Sequence, residues 1–382
     1  MSKIKMGMVG GGAGAMIGGI HRMAARLDGE VDLVCGAFSS TPEKAKASAA
    51  KLGVAPERAY GSYQEMMAAE AALPAAERMD FVSIVTPNHM HAPVALAALA
   101  AGFHVLSDKP ATRTVAEAQT IAAKVAETGL LYGLTHNYSA YPLISTARDK
   151  IADGALGTIR KICVDYLQGW LSEPAAPDNK QAAWRADPTL AGPAGAMGDI
   201  GSHAAQLAEA VTGHRLRRVS GHLSTIVDGR VLDDDAVVLF ETDQQAKGIL
   251  NVSQIATGEE NGLSIRVYGT KGGLEWHQQD PNTLTLKWLD NSRTILRTGN
   301  DHAGVIAQSQ SRVPSGHPEA FLEAFGNLYR NFAAKIRAVQ AGEAAPATAI
   351  VPDIHDAVHG MAVIEAVVAS SQHDHAWTEV KA

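Results

Sequence analysis

Apolar runs alternate with helical stretches along the first third of the chain. The strand-like runs are continuously apolar and lie at 4–10, 31–38, 81–87 and 103–110. Between them, apolar residues recur at helical spacing at 18–29, 41–53, 93–102 and 115–129. Continuous apolar strands separated by helices indicate a parallel sheet that is covered on both faces. The alanine-rich segment 65–78 predicts a further, solvent-facing helix with a broken end.

The pattern changes after about residue 155. Strand-like segments now follow one another across short turns, at 160–168, 217–227, 235–242, 247–256, 263–269 and 283–289. Several of them alternate apolar and polar residues, which is typical of an antiparallel sheet with one face available for packing. Helical spacing interrupts the pattern at 199–213 and 318–342, and a last helix is predicted at about 353–370.

A chain of 382 residues exceeds what one compact core usually holds. The change of pattern therefore predicts two domains. The first, at 1–135, is a Rossmann dinucleotide-binding domain of the α/β class. The second, at 136–382, is an α+β domain for substrate binding and oligomerisation, built on an open, mainly antiparallel sheet. The sequence leaves open whether the helix at 353–370 packs back on the first domain.

Composition and charge narrow the class of protein. Hydrophobic residues make up 46% and charged residues 19%, as in an ordinary soluble globular protein. The net charge is −7 and there is no basic tract, which argues against nucleic acid or an anionic membrane as a partner. Cys35 and Cys163 are too few for a disulfide framework, so we expect a reducing compartment. Without a signal pattern or an apolar run of membrane-spanning length, the predicted location is the cytoplasm.

A glycine-rich loop joins the first strand to the first helix. Glycines let the backbone approach a pyrophosphate, and the following helix offers free N–H groups and a positive dipole end. Gly10 and Gly12 fit the first two positions of the dinucleotide fingerprint, but the glycine nearest the helix is Gly18, so the loop is longer than usual. The predicted cofactor contacts in this loop are Gly10, Gly12, Ala13, Gly14, Ala15, Met16 and Ile17.

The end of the second strand bears on which nicotinamide cofactor binds. An acid there would chelate the ribose diol, but the sequence has Ser39 and Ser40 instead. These serines can hydrogen-bond a diol or a 2′-phosphate, and Arg22 and Lys44 are near enough in sequence to help bind a phosphate. Alternatively, the serines only cap the next helix. We favour NAD and leave NADP open.

Residues after the later strands complete the predicted cofactor site, because open parallel sheets bind cofactors at the carboxyl ends of their strands. They are Thr86, Pro87, Asn88, His91, Asp108, Lys109 and Asn137. His89 and His91 together resemble a metal pair. Neither a cysteine nor an acid joins them, so we predict no metal site.

Asp199 and His203 are four residues apart at the start of a predicted helix and therefore share a face. A carboxylate beside an imidazole orients the ring and stabilises its protonated form, which suits a general acid/base near neutral pH. The alternative is an ordinary helix pair without a chemical role. The surrounding GPAGAMGDIGSH favours function, because its glycines suit a backbone that must approach a ligand closely.

Three features together resemble the glucose–fructose oxidoreductase/inositol dehydrogenase/rhizopine catabolism (Gfo/Idh/MocA) family. They are the glycine loop ending in GGIHR, the segments TPNHMH (86–91) and SDKP (107–110), and GDIGSH (198–203). The resemblance covers nearly the whole chain. It implies a dinucleotide-binding domain joined to an open antiparallel sheet, through which such proteins form homodimers or homotetramers. The family's usual Glu-Lys-Pro is Asp108-Lys109-Pro110 here, and Gln206 stands where an acid often follows the histidine.

The resemblance also implies roles for individual residues. Lys109 would hold the reacting hydroxyl, and a cis peptide bond before Pro110 is compatible with the resemblance. His203 would take the hydroxyl proton while hydride leaves the same carbon for nicotinamide C4. Asp199 would bind a neighbouring hydroxyl or steady the histidine. Further substrate contacts are predicted at Tyr138, Trp184, Arg185 and His317, although His317 is equally well read as an exposed capping histidine.

The expected function is NAD(P)-dependent oxidation of a secondary hydroxyl on a cyclic polyol or sugar. The sequence resembles the scyllo-inositol and levoglucosan dehydrogenase branch of the family, so the substrate would be an inositol, an aldopyranose or an anhydrosugar. Two alternatives stay open. One is a glycosidase that uses tightly held NAD in an oxidation–elimination cycle, and the other is a non-catalytic sugar or nucleotide sensor.

Overall fold

The computed structural model describes residues 2–174, 184 and 187–382. Within these residues, the chain folds into two compact units. Unit 1 comprises residues 1–112, 116–137 and 321–358, and unit 2 comprises residues 113–115, 138–320 and 359–382. Unit 1 therefore includes a stretch near the C-terminus that lies far beyond the boundary drawn at residue 135 from the sequence.

Among the residues described, unit 1 contains a five-stranded parallel sheet with strand order β2-β1-β3-β4-β5. Its strands are β1 (Ile4–Gly10), β2 (Val31–Ala37), β3 (Phe81–Val85), β4 (His104–Ser107) and β5 (Tyr132–Leu134). β3 and β4 are buried along their whole length, which explains why apolar and polar residues do not alternate regularly in their sequences. The parallel sheet confirms the predicted Rossmann fold.

Helices connect and follow these strands. They are α1 (Met16–Leu27), α2 (Pro42–Lys51), α3 (Tyr63–Ala72), α4 (His91–Ala100), α5 (Val115–Thr128) and, from the later part of the chain, α10 (Phe321–Ala341), with 3-10 turns at Pro56–Arg58 and Asn88–Met90. α10 packs against α1. There, His21 Nδ1 lies 2.7 Å from the Tyr329 hydroxyl, and the His21 ring meets the edge of Phe325. These buried contacts explain why α10 belongs to unit 1.

The segment 65–78, predicted as a solvent-facing helix with a broken end, contains a helix that ends early and has one exposed and one buried face. α3 ends at Ala72 and buries Glu70 completely. The Glu70 carboxylate accepts hydrogen bonds from the Arg58 guanidinium and from the Tyr60 hydroxyl, both at 2.9 Å. Half of the residues of α3 are exposed, whereas its other face buries Glu70. Partners outside the helix satisfy the charge of Glu70, which would otherwise need water.

Among the residues described, unit 2 contains a nine-stranded sheet with strand order β13-β12-β11-β10-β6-β9-β8-β7-β14. Its strands are β6 (Ile159–Leu167), β7 (Leu216–Ser224), β8 (Asp235–Thr242), β9 (Lys247–Ser253), β10 (Gly262–Gly269), β11 (Gly272–His277), β12 (Thr283–Trp288), β13 (Thr294–Arg297) and β14 (Thr378–Glu379). β6 and β9 run parallel, and the other neighbouring pairs are antiparallel. The mixed, mostly antiparallel sheet confirms the predicted fold class.

The helices of the later chain are α6 (Pro142–Ala152), α7 (Pro188–Ala191), α8 (Ser202–Thr212), α9 (Val305–Ser309) and α11 (Ile354–Gln372), with a π-helical turn at Met197–Gly201 and 3-10 turns at Asn137–Ala140 and Asp301–Ala303. The part of α11 that lies in unit 2 contacts α8 and β7. His359 Nε2 lies 2.7 Å from the Glu209 carboxylate, and the Gly221 N–H donates to the Ser370 hydroxyl at 2.9 Å. None of the helices in the described part of the chain combines the length and apolar character of a membrane span.

Candidate active site

The carboxyl ends of the parallel strands lie at one edge of unit 1, and most of the predicted cofactor residues follow these ends. Gly10 closes β1, Ser39 follows β2, Thr86 follows β3, Asp108 follows β4 and Asn137 follows β5. The chain continues from β1 to β2 on one side and places β3 on the other. An open sheet of this kind binds its ligand in the crevice at such a change of direction.

The loop after β1 has the backbone that a dinucleotide needs. Gly10 and Gly11 have φ angles of +79° and +61°, in the left-handed region that favours glycine. A side chain at Gly12 would lie 2.6 Å from the Phe38 carbonyl oxygen, and one at Gly18 would overlap the backbone of Gly11. Gly18 thus lets the helix pack closely on the loop, which is the role of the third glycine in the dinucleotide fingerprint.

The start of α1 has the features of an anion-binding helix N-terminus. Ala15 precedes the helix without a side-chain cap, and the first turn contains no acidic residue. The first N–H groups of a helix lack an intrahelical partner, and the helix dipole places positive charge there. The Ser48 hydroxyl, which the sequence did not single out, accepts the Ala13 N–H at 3.2 Å and holds the loop in place. This arrangement fits the pyrophosphate of a dinucleotide.

The residues considered for the ribose differ in their surroundings. Ser39 is half-buried, and its hydroxyl accepts the main-chain N–H two residues later at 3.3 Å, whereas Ser40 is exposed. The Arg22 guanidinium donates to the Gly11 carbonyl oxygen and so braces the glycine loop. Lys44 is exposed on α2. One nitrogen of the Arg22 guanidinium is therefore engaged by the glycine loop itself.

Two buried polar atoms at this edge have no hydrogen-bond partner among the residues that the structure describes. They are Thr86 Oγ1, at the end of β3, and Asn137 Nδ2, just after β5. A buried hydroxyl or amide without a partner is costly, and a ligand that supplies the missing group removes that cost. Both positions therefore fit a bound dinucleotide.

His91 and Asn88, in the segment that follows β3, are also buried. Nδ1 of His91 lies 2.7 Å from the Pro110 carbonyl oxygen, and Nε2 lies 2.8 Å from the Thr86 carbonyl oxygen. The His91 ring thus lies between the end of β3 and the turn after β4. Asn88 opens the 3-10 turn that Pro87 precedes.

The turn after β4 carries Lys109, and the peptide bond between Lys109 and Pro110 is cis. The Lys109 N–H donates to the Asp108 carboxylate at 2.8 Å, and the Thr135 hydroxyl donates to it at 3.0 Å. Burial acts to raise the pKa of Asp108, but interactions with His21 and Lys109 outweigh it and hold that pKa far below its usual range. Asp108 is therefore ionised at neutral pH and supplies fixed negative charge beside the lysine.

Asp199 lies within the π-helical turn Met197–Gly201, and His203 lies in the first turn of α8. The π turn changes the angular spacing between residues, so a separation of four no longer guarantees a shared face. Single π turns are frequent at functional sites. Oδ2 of Asp199 accepts a hydrogen bond from Gln254 Nε2 at 2.9 Å. The carboxylate is thus held by a residue from the end of β9.

His203 is buried, with 5% of its surface exposed. Its ring meets Tyr138 and Tyr166 edge-on, with centroid distances of 4.7 and 6.2 Å. The two hydroxyls lie 2.7 Å apart, Tyr166 donates to the Asn261 carbonyl oxygen, and the Asn261 amide donates to Tyr138. Burial raises the pKa of both tyrosines, so both hydroxyls are neutral. This closed ring of hydrogen bonds fixes the surface on which His203 lies.

Asp233 and Gln254 support the Asp199 segment, and sequence reasoning assigned neither to the site. The Asp233 carboxylate accepts the N–H groups of Gly195 and Met197 at 2.6 and 2.7 Å. The one signal that points to Asp233 is an acidic run directly before an apolar strand. Gln254 carries no local signal, because it ends an ordinary strand sequence.

The remaining predicted substrate residues differ in their surroundings. Trp184 is half-buried, and Arg185 lies outside the described residues. His317 is exposed, and its Nδ1 contacts the Pro314 carbonyl oxygen at 3.1 Å, as in a turn. In the part of the chain that is described, no group of three or more His, Cys, Asp or Glu residues could hold a metal ion.

Known proteins resemble both parts of the chain. Residues 4–136 match the oxidoreductase family with an NAD-binding Rossmann fold, and residues 144–275 match the GFO/IDH/MocA C-terminal domain. An uncharacterised oxidoreductase of Bacillus subtilis, YfiI, is 32% identical over 99% of this chain and 97% of its own length. Levoglucosan dehydrogenase of Pseudarthrobacter phenanthrenivorans is 28% identical over 55% of this chain and 58% of its own length.

A solved structure extends the similarity over nearly the full length. An inositol dehydrogenase homologue from Azotobacter vinelandii in complex with NAD+ gives a TM-score of 0.95 at 35% identity, covering 99% of this chain and 97% of that chain. An inositol dehydrogenase homologue from the same organism, in complex with NADH and myo-inositol, gives a TM-score of 0.92 at 34% identity, covering 99% of this chain and 98% of that chain.

Proposed function

The chain belongs to the GFO/IDH/MocA family of NAD-dependent oxidoreductases, and from this premise we propose that it oxidises a secondary hydroxyl of a cyclic polyol or sugar. An inositol is the first substrate class to test, followed by an aldopyranose and an anhydrosugar. The observation that carries the proposal is the environment of His203, a buried imidazole on a fixed polar surface, four residues from a carboxylate held by an amide.

The relatives support this order of substrates. The A. vinelandii homologue that binds myo-inositol matches nearly the whole chain at 34% identity. The dehydrogenase for the anhydrosugar levoglucosan matches about half of it at 28% identity. A cyclic polyol therefore ranks before an anhydrosugar.

The proposed roles follow from what alcohol oxidation requires. The reaction needs a base for the hydroxyl proton and a donor that stabilises the developing oxyanion. We assign the proton to an imidazole nitrogen of His203 and the donor to the ammonium group of Lys109. Asp199 accepts a hydrogen bond from a neighbouring hydroxyl or orients the imidazole. Bound NAD supplies the acceptor for the hydride that leaves the same carbon.

The residues that would hold the cofactor lie in unit 1. The glycine loop and the uncapped start of α1 suit the pyrophosphate. Ser39 and Ser40 suit the ribose, and the buried polar atoms of Thr86 and Asn137 offer further hydrogen bonds. These assignments rest on an open loop backbone and on buried polar atoms that lack a partner among the residues described.

A substrate screen tests the proposal. The purified protein is mixed with inositol isomers, aldopyranoses and levoglucosan in the presence of NAD or NADP, and the absorbance of the reduced nicotinamide is followed. We expect NAD reduction with at least one inositol. Binding of NAD and sugar without reduction would favour the sensor, and release of a leaving group from a glycoside without net reduction would favour the glycosidase.

A further inference from the structure

Hydrogen bonds hold the main chain of Gln254 in place, and its side-chain amide is directed at Asp199. The main-chain N–H of Gln254 donates to the Asp234 carbonyl oxygen at 2.9 Å, and the main-chain carbonyl oxygen of Gln254 accepts the Leu171 N–H at 3.1 Å. Only 3% of the residue is exposed. With the main chain bonded on both sides, Nε2 reaches the Asp199 carboxylate at 2.9 Å. A carboxylate only accepts hydrogen bonds, so the amide presents its NH2 group to Asp199.

Asp233 fixes the backbone that carries Asp199. Its carboxylate accepts the N–H groups of Gly195 and Met197, and its carbonyl oxygen accepts the Ala196 N–H at 2.8 Å. One residue from the loop before β8 therefore satisfies three consecutive N–H groups at the start of the π-helical turn. A side chain at Gly195 would overlap the Asp233 carbonyl oxygen, so the loop and the turn approach closely.

We propose that Gln254 is a positioning residue that keeps Asp199 ionised and pointing in one direction during catalysis. The inference rests on the proposed function, in which Asp199 orients His203 or binds a substrate hydroxyl. A hydrogen bond donated to a carboxylate favours its charged form. Because the donor comes from a buried strand end, it also fixes the plane of the carboxylate.

Other titratable groups of unit 2 act on Asp199 or on the segment that carries it. Tyr138 and Tyr166 interact electrostatically with Asp199, and burial raises the pKa of both, so they carry no charge at neutral pH. Burial raises the pKa of Asp233 as well, against the effect of main-chain hydrogen bonds that include those from Met197 and Gly195. His203 is a further titratable group of the segment, four residues after Asp199. Gln254 supplies a neutral donor that stays unchanged when any of them titrates.

The test compares Gln254→Met and Gln254→Glu in the full-length protein, with the substrate found in the screen. Methionine is nearly isosteric but donates nothing to Asp199, so kcat should fall about tenfold, as expected for loss of a hydrogen bond to a charged group. Glutamate places a second carboxylate beside Asp199, which disfavours ionisation. The acid limb of the profile of kcat/KM against pH should therefore move upward by about one pH unit.

Gln310→Met and Gln310→Glu are matched controls. Gln310 is 2% exposed in the same unit, and its Oε1 accepts from the Ser145 hydroxyl at 3.2 Å. A merely structural effect would lower the thermal unfolding midpoint in both pairs and leave the acid limb in place. Gln254 variants with an unmoved acid limb and an unchanged kcat overturn the inference.

Asp199→Asn separates the inference from the function on which it rests. Full turnover in this variant would overturn the role of Asp199 and the inference together. Lost turnover, with Gln254 variants that behave like the Gln310 variants, would overturn the inference alone. If Gln254→Glu does not fold, the inference is tested by the acid limb of the kcat/KM profile of Gln254→Met. Loss of the donor should shift that limb upward as well, by a smaller amount.

Discussion

The two regions that carry the proposed chemistry differ in the groups that form them: main-chain groups form one region and side chains form the other. The cofactor edge of unit 1 is made of main chain, with positive φ angles at Gly10 and Gly11 and a close backbone approach at Gly18. The segment of unit 2 around Asp199 and His203 is made of side chains held by other side chains. A site built from backbone is visible in local sequence as glycine, whereas a site built from side chains depends on partners elsewhere in the chain.

The two regions should therefore respond to substitution in opposite ways. In unit 1 a substitution acts by adding atoms where the backbone needs room. In unit 2 it acts by removing a group that donates, accepts or carries a proton.

The largest expected effect is that of His203→Ala. Turnover should fall about a hundredfold or more, since a positioned acid/base contributes at least that much. Steady-state kinetics measures the loss, and calorimetric titration should show unchanged NAD binding because the glycine loop is untouched. His214→Ala is the matched control, another buried histidine of unit 2 whose Nδ1 contacts the Thr242 hydroxyl at 3.3 Å. Unchanged turnover in His203→Ala would remove this histidine from the mechanism.

Gly18→Ala tests the backbone side of the comparison. The added methyl group overlaps the Gly11 backbone, so the free energy of unfolding should fall by about 1–3 kcal/mol, as in other overpacked cores. NAD binding should weaken in parallel. Denaturant unfolding and NAD titration measure the two effects.

Gly19→Ala is the control for Gly18→Ala. The nearest atom to its added methyl group is Arg22 Nη2 at 4.0 Å, and alanine in a helix is favoured over glycine by up to about 1 kcal/mol. The Gly19→Ala variant should therefore be as stable as the parent protein or slightly more stable. Equal stability of the two variants would contradict the argument from backbone packing.

The smallest expected effect concerns acid stability in unit 1. Burial lowers the pKa of His104 to about 4, and burial together with the charge of Lys109 lowers that of His136 to about 4. An unfolded histidine has a pKa of about 6.5. Between about pH 6.5 and pH 4 the unfolded state thus binds protons that the folded state does not, and stability falls as the pH falls. At pH 5.5, each histidine should lower the free energy of unfolding by roughly 1 kcal/mol relative to neutral pH.

His104→Asn should reduce this loss. Nδ1 of His104 accepts the Leu131 N–H at 2.9 Å, and an asparagine carbonyl oxygen can accept there without titrating. The five tryptophans of the chain all lie in unit 2, so their fluorescence reports that unit, while amide hydrogen exchange of β4 and β5 reports unit 1. If amide hydrogen exchange in β4 depends on pH in the same way in the parent protein and in His104→Asn, then His104 does not cause the loss of stability.

Much of the fold could be predicted because its signals are local. Continuous apolar strands between helices led to the parallel sheet, and alternating segments led to the second sheet. The burial of Glu70 on α3 could not be predicted, since the partners of its carboxylate lie outside the helix. The site followed the same division. The spacing of Asp199 and His203 identified them as candidates, but the π-helical turn that carries Asp199 has no signature in that spacing.

Short-range sequence was sufficient for the fold class, the glycine loop and the list of ionisable candidates, because periodicity and the freedom of glycine belong to neighbouring residues. Long-range packing was needed to bring Gln254 to Asp199, Asp233 to the turn beneath it, and α10 to α1. These contacts join residues that lie tens or hundreds of positions apart, and a hydrogen bond or a buried interface exists only when the folded chain brings its two partners together.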